Sequence, residues 1–441
     1  MANARETALL VLVACRRDGA WIDGALKHAL RRSGLDARDR ALCAQLAYGV
    51  TQYRLLLDAH LDRCLKNGVR KTEPLLLDIL RLGAYQILCM DRIPVSAAVN
   101  EAVEMAKAHR LAHASGMVNG VLRSVARRKG EALSFRDDTQ RLSIETSHPR
   151  WLVERVTALL GAEEAERFLR ANNDPAPMTV QVNPLKTDAA GLLAAWQREG
   201  VSASAHPWLP GCFTVTGTGD LEALESFQRG LFTVQDASAR LAALAAAPKP
   251  GERVIDVCAA PGGKSFAMAM AMANRGSILS CDMEEHKLRL LELGAQRLGV
   301  EILTARLADG RVNDPALNES ADVVLCDVPC SGLGILRKKP DIRWRSAQDA
   351  AALPKLQRAI LNNASRYVRP GGTLVYSTCT ILPEENEGVS HAFLADHPDF
   401  TCEVISLDIE SDFNVFDELT LWPQRHGADG FYICRMKRRQ A

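Results

Sequence analysis

Two cysteines in this 441-residue chain stand in settings that suit reactivity better than burial. Cys330 lies in Asp327-Val328-Pro329-Cys330-Ser331-Gly332-Leu333-Gly334. Cys379 lies in Thr373-Leu374-Val375-Tyr376-Ser377-Thr378-Cys379-Thr380, followed by Pro383-Glu384-Glu385-Asn386-Glu387. Each follows an apolar run that reads as a strand, and open α/β sheets gather their reactive groups at strand carboxyl ends. A third such end carries Asp256-Val257-Cys258-Ala259-Ala260-Pro261-Gly262-Gly263-Lys264-Ser265 and then a helix. In a doubly wound sheet this first strand-to-helix turn is where a nucleotide-like ligand lies, and paired glycines let backbone approach it.

The residues of that turn discriminate between ligands. A phosphate-cradling Walker loop requires glycine six residues before the lysine, and that position is Cys258. A dinucleotide fingerprint needs three spaced glycines, whereas only Gly262 and Gly263 are present. S-adenosylmethionine has no pyrophosphate and needs neither pattern. Asp282 ends the next strand, where a carboxylate can accept from both ribose hydroxyls. Asp309, after the third strand, is placed for the adenine amino group. With a methyl donor beside two cysteines, the chemistry narrows. Exocyclic amines are already nucleophilic, and enzymes that methylate them favour an Asp/Asn-Pro-Pro-aromatic turn; here the turn is Asp-Val-Pro-Cys. Carbon 5 of cytosine becomes nucleophilic only after a thiolate adds to carbon 6. Asp327 is the candidate to stabilise the charge at ring nitrogen 3, protonated or through its hydrogen bonds. A base must then take the carbon 5 proton so that the thiolate can leave. Spacing does not decide which cysteine attacks.

These groups need a scaffold. Strands are expected at Arg253–Val257, Ser277–Cys281, Asp322–Cys326 and Thr373–Tyr376, with helices such as Glu284–Leu298 and Ala351–Tyr367 between them. That alternation predicts a parallel, doubly wound sheet over 246–441. Before it, Met178–Asn183 and Gly211–Val215 read as strands and Gly191–Arg198 as a helix, giving a small α/β connector over 141–245. Residues 1–140 are helical throughout. Val95, Val99 and Val103 with Ala98, Ala102 and Ala106 form one apolar face behind Pro94, and Leu75–Leu88 and Met117–Val125 are further helices. The expected protein is therefore multidomain: an all-α bundle, a small α/β domain and a Rossmann-like α/β domain.

Charge and composition set the limits. Residues 1–150 carry 24 Lys and Arg against 16 Asp and Glu, while the rest carries 30 against 37, so a basic module precedes an acidic one. A polyanion docking on the first part is expected. Hydrophobic residues make up 47% and no apolar run reaches ~18 residues, so no membrane span is expected. Without an export signal, the 12 cysteines read as free thiols in a reducing cytoplasm. No C-x-x-C pair or histidine cluster suggests a metal.

The motifs from Asp256 to Glu387 resemble the RNA cytosine carbon-5 methyltransferases of the NOL1/NOP2/Sun group. The N-terminal stretch resembles the NusB-like antitermination domain through Asp39-Arg40, Leu80–Gln86 (LRLGAYQ), Ile93-Pro94, Ala98–Val103 (AVNEAV) and Val118–Arg123 (VNGVLR). The resemblance implies a Rossmann-like methyltransferase of 16S ribosomal RNA that uses S-adenosylmethionine. It implies Cys379 as nucleophile, Cys330 as the residue that aids release, and cofactor contacts along Cys258, Ala259, Ala260, Pro261, Gly262, Gly263 and Lys264 and at Asp282, Asp309 and Asp327. Val328 where the group usually has Ala, and Thr380 where Ser is common, are conservative departures. Arg337-Lys338-Lys339-Pro340-Asp341 resembles the group's basic loop beside the substrate. The expected partner is small-subunit RNA before 30S assembly is complete, bound by a monomer, with neither DNA nor membrane involved.

Overall fold

The protein is described by a computed structural model covering residues 3–440. The chain divides into two compact units. One holds the chain up to Asp174 together with Leu336–Arg345, and the other holds Pro175–Ile335 and everything from Ser346 onwards.

The first unit is helical. Pro74–Cys89, Val95–Ala108 and Ser115–Arg127 bury the apolar faces their spacing predicts, including Ile79, Leu80 and Leu82, then Ala98, Val99 and Ala102, then Val118, Val121 and Leu122. Pro94 caps the second of these in extended backbone, where its missing N–H costs nothing. Three more helices, Asp138–Glu145, Arg150–Leu160 and Ala162–Ala171, fall in this unit, past the boundary at 140 that the sequence suggests.

The inserted segment Leu336–Arg345 is bound into the same unit by its own side chains. Arg343 is wholly buried, and its Nη1 donates to the carbonyls of Gln52 (3.1 Å) and Ser147 (3.2 Å) and to Asn173 Oδ1 (3.0 Å). Trp344 Nε1 donates to the Thr51 carbonyl at 2.9 Å, and Asp341 accepts from the Ile22 amide at 2.9 Å. The stretch that resembles a basic substrate loop thus belongs structurally to the helices.

The second unit contains two main sheets. The smaller has strands β1 (Met178–Val182), β2 (Ser202–Ala205), β3 (Cys212–Thr216) and β4 (Phe232–Val234), in the order β2-β3-β1-β4, all antiparallel. The larger is built from β5 (Arg253–Asp256), β6 (Ser277–Asp282), β7 (Leu303–Leu307), β8 (Ala321–Asp327), β9 (Val368–Thr378), β10 (Phe400–Cys402), β13 (Glu418–Leu421) and β14 (Phe431–Arg438), while β11 (Ile405–Ser406) and β12 (Val415–Phe416) form a separate pair. The order β10-β14-β9-β8-β5-β6-β7 confirms the Rossmann-like reading but makes the sheet mixed. β5 to β9 run parallel, and β14 closes against β9 in antiparallel register. Strand order reverses at β5, because β6 lies on one side and β8 on the other. The crevice over that reversal is where ligands bind in open α/β sheets. Asp327 pairs with Ser377 across β8 and β9, so one register fixes Cys330 and Cys379 at the same end of the sheet.

The Arg343 guanidinium carries the clearest energetic consequence of this fold. Arg343→Met would remove the bonds to the Gln52 and Ser147 carbonyls and leave Asn173 Oδ1 with the Gln52 amide alone, a loss of about 2 kcal/mol of unfolding free energy. Denaturant titration of the variant measures it, and an unchanged midpoint would show that the guanidinium does not hold the segment.

Candidate active site

The turn after β5 is shaped by Gly262. Its φ of +110° lies where L side chains are strained, and an added Cβ would meet the Phe266 ring at 2.4 Å and Leu291 at 2.7 Å. Glycine therefore lets the chain turn directly into the helix Gly263–Ala271, whose free N–H groups face the turn. Beside it lies a cavity of about 220 Å³ whose wall includes Gln235, Asp256, Cys258, Ala259, Ala260, Pro261, Gly263, Lys264 and Asp327.

The side chains of that wall form a graded network. Lys264 Nζ lies 2.5 Å from Asp327 Oδ2, and Ser377 Oγ donates to Asp327 Oδ1 at 2.8 Å. Burial alone would lower the lysine pKa, but Asp327 beside it, with Cys379 and Asp256 contributing, raises it. The proton therefore stays on Lys264. Asp256 is buried, accepts from Ser265 Oγ at 2.7 Å, and is pushed up to about 7, chiefly by desolvation. Ser280 Oγ lies 2.8 Å behind Ser265.

Cys330 and Cys379 meet with their sulfurs 3.2 Å apart. The Cys330 thiol is held well above its ordinary value, first by its hydrogen bond to Cys379, then by burial and by the charge of Cys379. Cys330 thus keeps its proton, in a sulfur–sulfur contact in which either thiol can donate. Their two loops are joined by Glu385, which is fully buried. Its carboxyl group receives the Ser331 amide (2.9 Å) and Gln357 Nε2 (2.7 Å), and Gln357 also donates to the Pro329 carbonyl (3.0 Å). Ser331 Oγ and Thr380 Oγ1 lie 2.7 Å apart. Thr378 Oγ1 donates to Asn386 Oδ1 at 2.6 Å, and Asn386 Nδ2 returns to the Thr380 carbonyl at 3.2 Å. Gly334 completes the clasp, donating to the Cys379 carbonyl (3.0 Å) while accepting from the Gly430 amide (2.8 Å). A Cβ on Gly334 would lie 1.9 Å from the Gly430 carbonyl oxygen, so this backbone crossing requires glycine.

The structure thus gathers Cys330, Cys379, Asp327 and Lys264 with the Cys258–Gly263 turn. Asp282 and Asp309 end β6 and follow β7 but lie off the cavity wall. Asp282 accepts the Ala260 amide (3.3 Å) and the Glu284 amide (3.1 Å). Asp309 is engaged by Arg311, whose Nη2 approaches to 2.6 Å. Sequence reading quoted Glu385 and Asn386 without giving them a role and did not reach Gln235 or Gln357. Gln235 is buried at the cavity with neither amide atom partnered among the described residues.

That orphaned amide tests whether S-adenosylmethionine fits. A buried, unpaired carboxamide costs free energy unless a ligand supplies its partners. A zwitterionic amino-acid end can supply both a donor and an acceptor, and the helix N-terminus beside it favours a carboxylate. The cavity is smaller than the ~300–1,000 Å³ that encloses a whole drug-sized ligand, so it suits one end of the cofactor.

Comparison with known proteins gives concordant matches. Residues 243–437 match the family described as 16S rRNA methyltransferase RsmB/F, residues 2–127 the NusB family, and residues 148–222 the ferredoxin-like domain of RsmF/B-like methyltransferases. The chain is 37% identical over 445 residues to the probable ribosomal RNA small subunit methyltransferase B of Bacillus subtilis (strain 168), covering 99% of each. It is 36% identical over 448 residues to the corresponding protein of Synechocystis sp. (strain ATCC 27184 / PCC 6803 / Kazusa), covering 99% of this chain and 100% of the relative. Among solved structures, PH0851 superposes with a TM-score of 0.82 at 25% identity, covering 98% of each chain.

Asp256 makes the stability of this site depend on pH. Its folded pKa of about 7 lies above the unfolded value of 3.8, so the native state holds the extra proton between them. Stability contributed by the protonated form is complete below about 4 and is lost as pH rises towards 7. Asp256→Asn removes the titration. From pH 5 to 8 the wild type should lose roughly 3 kcal/mol relative to the variant. Parallel denaturation curves at both pH values check this, and a constant difference would place the Asp256 titration elsewhere.

Proposed function

Because the chain belongs to the ribosomal RNA small subunit methyltransferase B family, we propose that it methylates carbon 5 of one cytosine in 16S ribosomal RNA through a covalent cysteine adduct. Its cofactor is S-adenosylmethionine. The cofactor supplies an electrophilic methyl group. Gln235 and the Cys258–Lys264 turn would hold its amino-acid end, with Asp282 and Asp309 along the nucleoside.

The observation that carries the finer reading is the sulfur pair, 3.2 Å apart, beside Lys264 and Asp327. Methylation of an amine has no use for a thiol, whereas carbon 5 needs one nucleophile to enter and one base to finish. Cys379 adds to carbon 6. The Lys264–Asp327 pair bears on the negative charge this addition pushes onto the ring, with the lysine supplying the proton-rich side. The first and third causes of the raised Cys330 pKa come from Cys379, with burial between them. Once Cys379 is bonded to carbon, those causes fall away. Cys330 is then free to ionise and to take the carbon 5 proton, and the electrons of that C–H bond re-form the ring double bond and expel the Cys379 thiolate. The target base is unpaired or flipped out, because carbon 6 is out of reach inside a stacked helix. The enzyme works in the cytoplasm, as a monomer, on small-subunit RNA before assembly is complete.

The cysteines should fail differently. Cys379→Ala should lose methyl transfer roughly a thousandfold or more. Cys330→Ala should transfer the methyl group and then stall, leaving a protein–RNA bond that survives denaturation and appears as a retarded band on a gel. The double variant should resemble Cys379→Ala. A band from Cys379→Ala alone would move the nucleophile to Cys330, and no band from any variant would exclude the covalent step.

A further inference from the structure

The helical unit contains a second site candidate, unrelated to the cysteines. A cavity of about 410 Å³ has in its wall Arg16, Arg54, Arg81, Arg345, Trp21 and Trp344. Two of these come from the inserted segment, so the cavity exists only because Leu336–Arg345 lies among the helices. We propose that this cleft binds a phosphate of the RNA substrate together with an adjoining unpaired base. The proposal rests on the ribosomal RNA methyltransferase reading and names where that RNA is held outside the reaction centre.

The charges of the wall do not balance. Asp78 is taken by Arg16 (2.8 Å) and Arg81 (3.2 Å), and Arg81 also grips Asp58 through two bonds of 2.7 and 2.8 Å. Asp341 accepts the Ile22 amide. Arg54 has no carboxylate partner within hydrogen-bonding distance among the described residues. Its guanidinium lies 3.7 Å from the centre of the Trp344 ring. Burial, and then the neighbouring charge of Arg81, press its pKa down to about 10. Burying a cation beside another cation is unfavourable, and an anion seated between them reverses that cost. At the mouth, Trp21 is 45% exposed, and the Arg345 guanidinium lies 3.9 Å from its ring centre. An exposed tryptophan stacked with arginine is a surface on which an unpaired base can lie. Guanidinium for the phosphate and an aromatic face for the base are the two requirements of single-strand binding, and this cleft places them side by side. An acidic peptide would use the first and leave the second idle.

The test uses the full chain and a fluorescein-labelled 16S ribosomal RNA transcript, with affinity read by anisotropy across salt concentrations. Trp21→Ala and Arg345→Ala both alter exposed side chains, and Arg167→Ala, an exposed arginine outside the cleft, is the control. Trp21→Ala should bind about tenfold more weakly, within the range for one base–aromatic stack. Arg345→Ala should also weaken binding and reduce the salt slope by about 0.7, the value for one single-strand phosphate contact. Calorimetric binding of S-adenosylmethionine should be unchanged in both. If both variants bound RNA as the control does, the proposal would be overturned. Quenching of tryptophan emission by inorganic phosphate or a glutamate-rich peptide, with RNA affinity indifferent to Trp21→Ala, would also overturn it and assign the cleft to those anions. A wild-type chain that binds no RNA would instead remove the functional reading itself, which separates that failure from this one.

Discussion

Two loops from neighbouring strands have to meet before their thiols can lie 3.2 Å apart, and the buried carboxyl group of Glu385 brings them together. β8 and β9 set only the coarse register, because both cysteines lie beyond the strands: Val328 and Pro329 separate Asp327 from Cys330, and Cys379 follows Thr378, the last residue of β9. Irregular chain gains position by hydrogen bonding. Here the Ser331 amide, Gln357, Thr380 and Asn386 supply those bonds from inside the protein, where losing a partner is costly. Catalytic distances tolerate little error, so the clasp matters as much as the sulfurs it positions. Glycine at 334 and 430 is part of the same constraint, since any side chain there would push the two backbones apart.

The electrostatics follow from this placement. Lys264 is buried yet charged because Asp327 lies against it, and Asp327 is oriented because Ser377 holds its other oxygen. The site therefore carries a fixed dipole next to a thiol pair in which Cys330 holds its proton. Such preorganised charge acts without reorganisation at the moment of reaction. Asp256, deeper in the fold, is a different case: desolvation dominates and lifts it towards neutrality. Asp256 and Asp327 end adjacent strands in different surroundings: Asp327 has Lys264 against it, while the fully buried Asp256 accepts from the Ser265 hydroxyl.

Much of this was legible in the sequence, for a physical reason. In a parallel sheet the side-chain pattern of each strand is local, and each strand hands over to a loop at the same edge. Asp256, Asp327 and Cys379 could therefore be assigned to one edge without knowing the fold. The remainder depended on contacts far apart in sequence. Arg337–Asp341 resembles a basic loop beside the substrate, whereas the hydrogen bonds of Arg343 and Trp344 to Gln52, Ser147 and Thr51 tie its segment to the helices. The antiparallel closure by β14 was missed because Phe431–Arg438 is buried on both faces and so lacks alternation, while Arg435, Lys437 and Arg438 break its apolar run. Gln235 was invisible for a simpler reason. A glutamine gives no motif, and its significance lies in having no partner in a buried cavity.

The central claim is that the methyl group goes to carbon 5 of cytosine, by a route that removes the hydrogen already there. A 16S ribosomal RNA transcript carrying tritium at cytosine carbon 5 reports this directly when incubated with the wild-type chain and S-adenosylmethionine. The account predicts one tritium released to water for each methyl group incorporated. Methyl incorporation with the tritium fully retained would place the methyl on a nitrogen or a ribose oxygen, and would contradict the account.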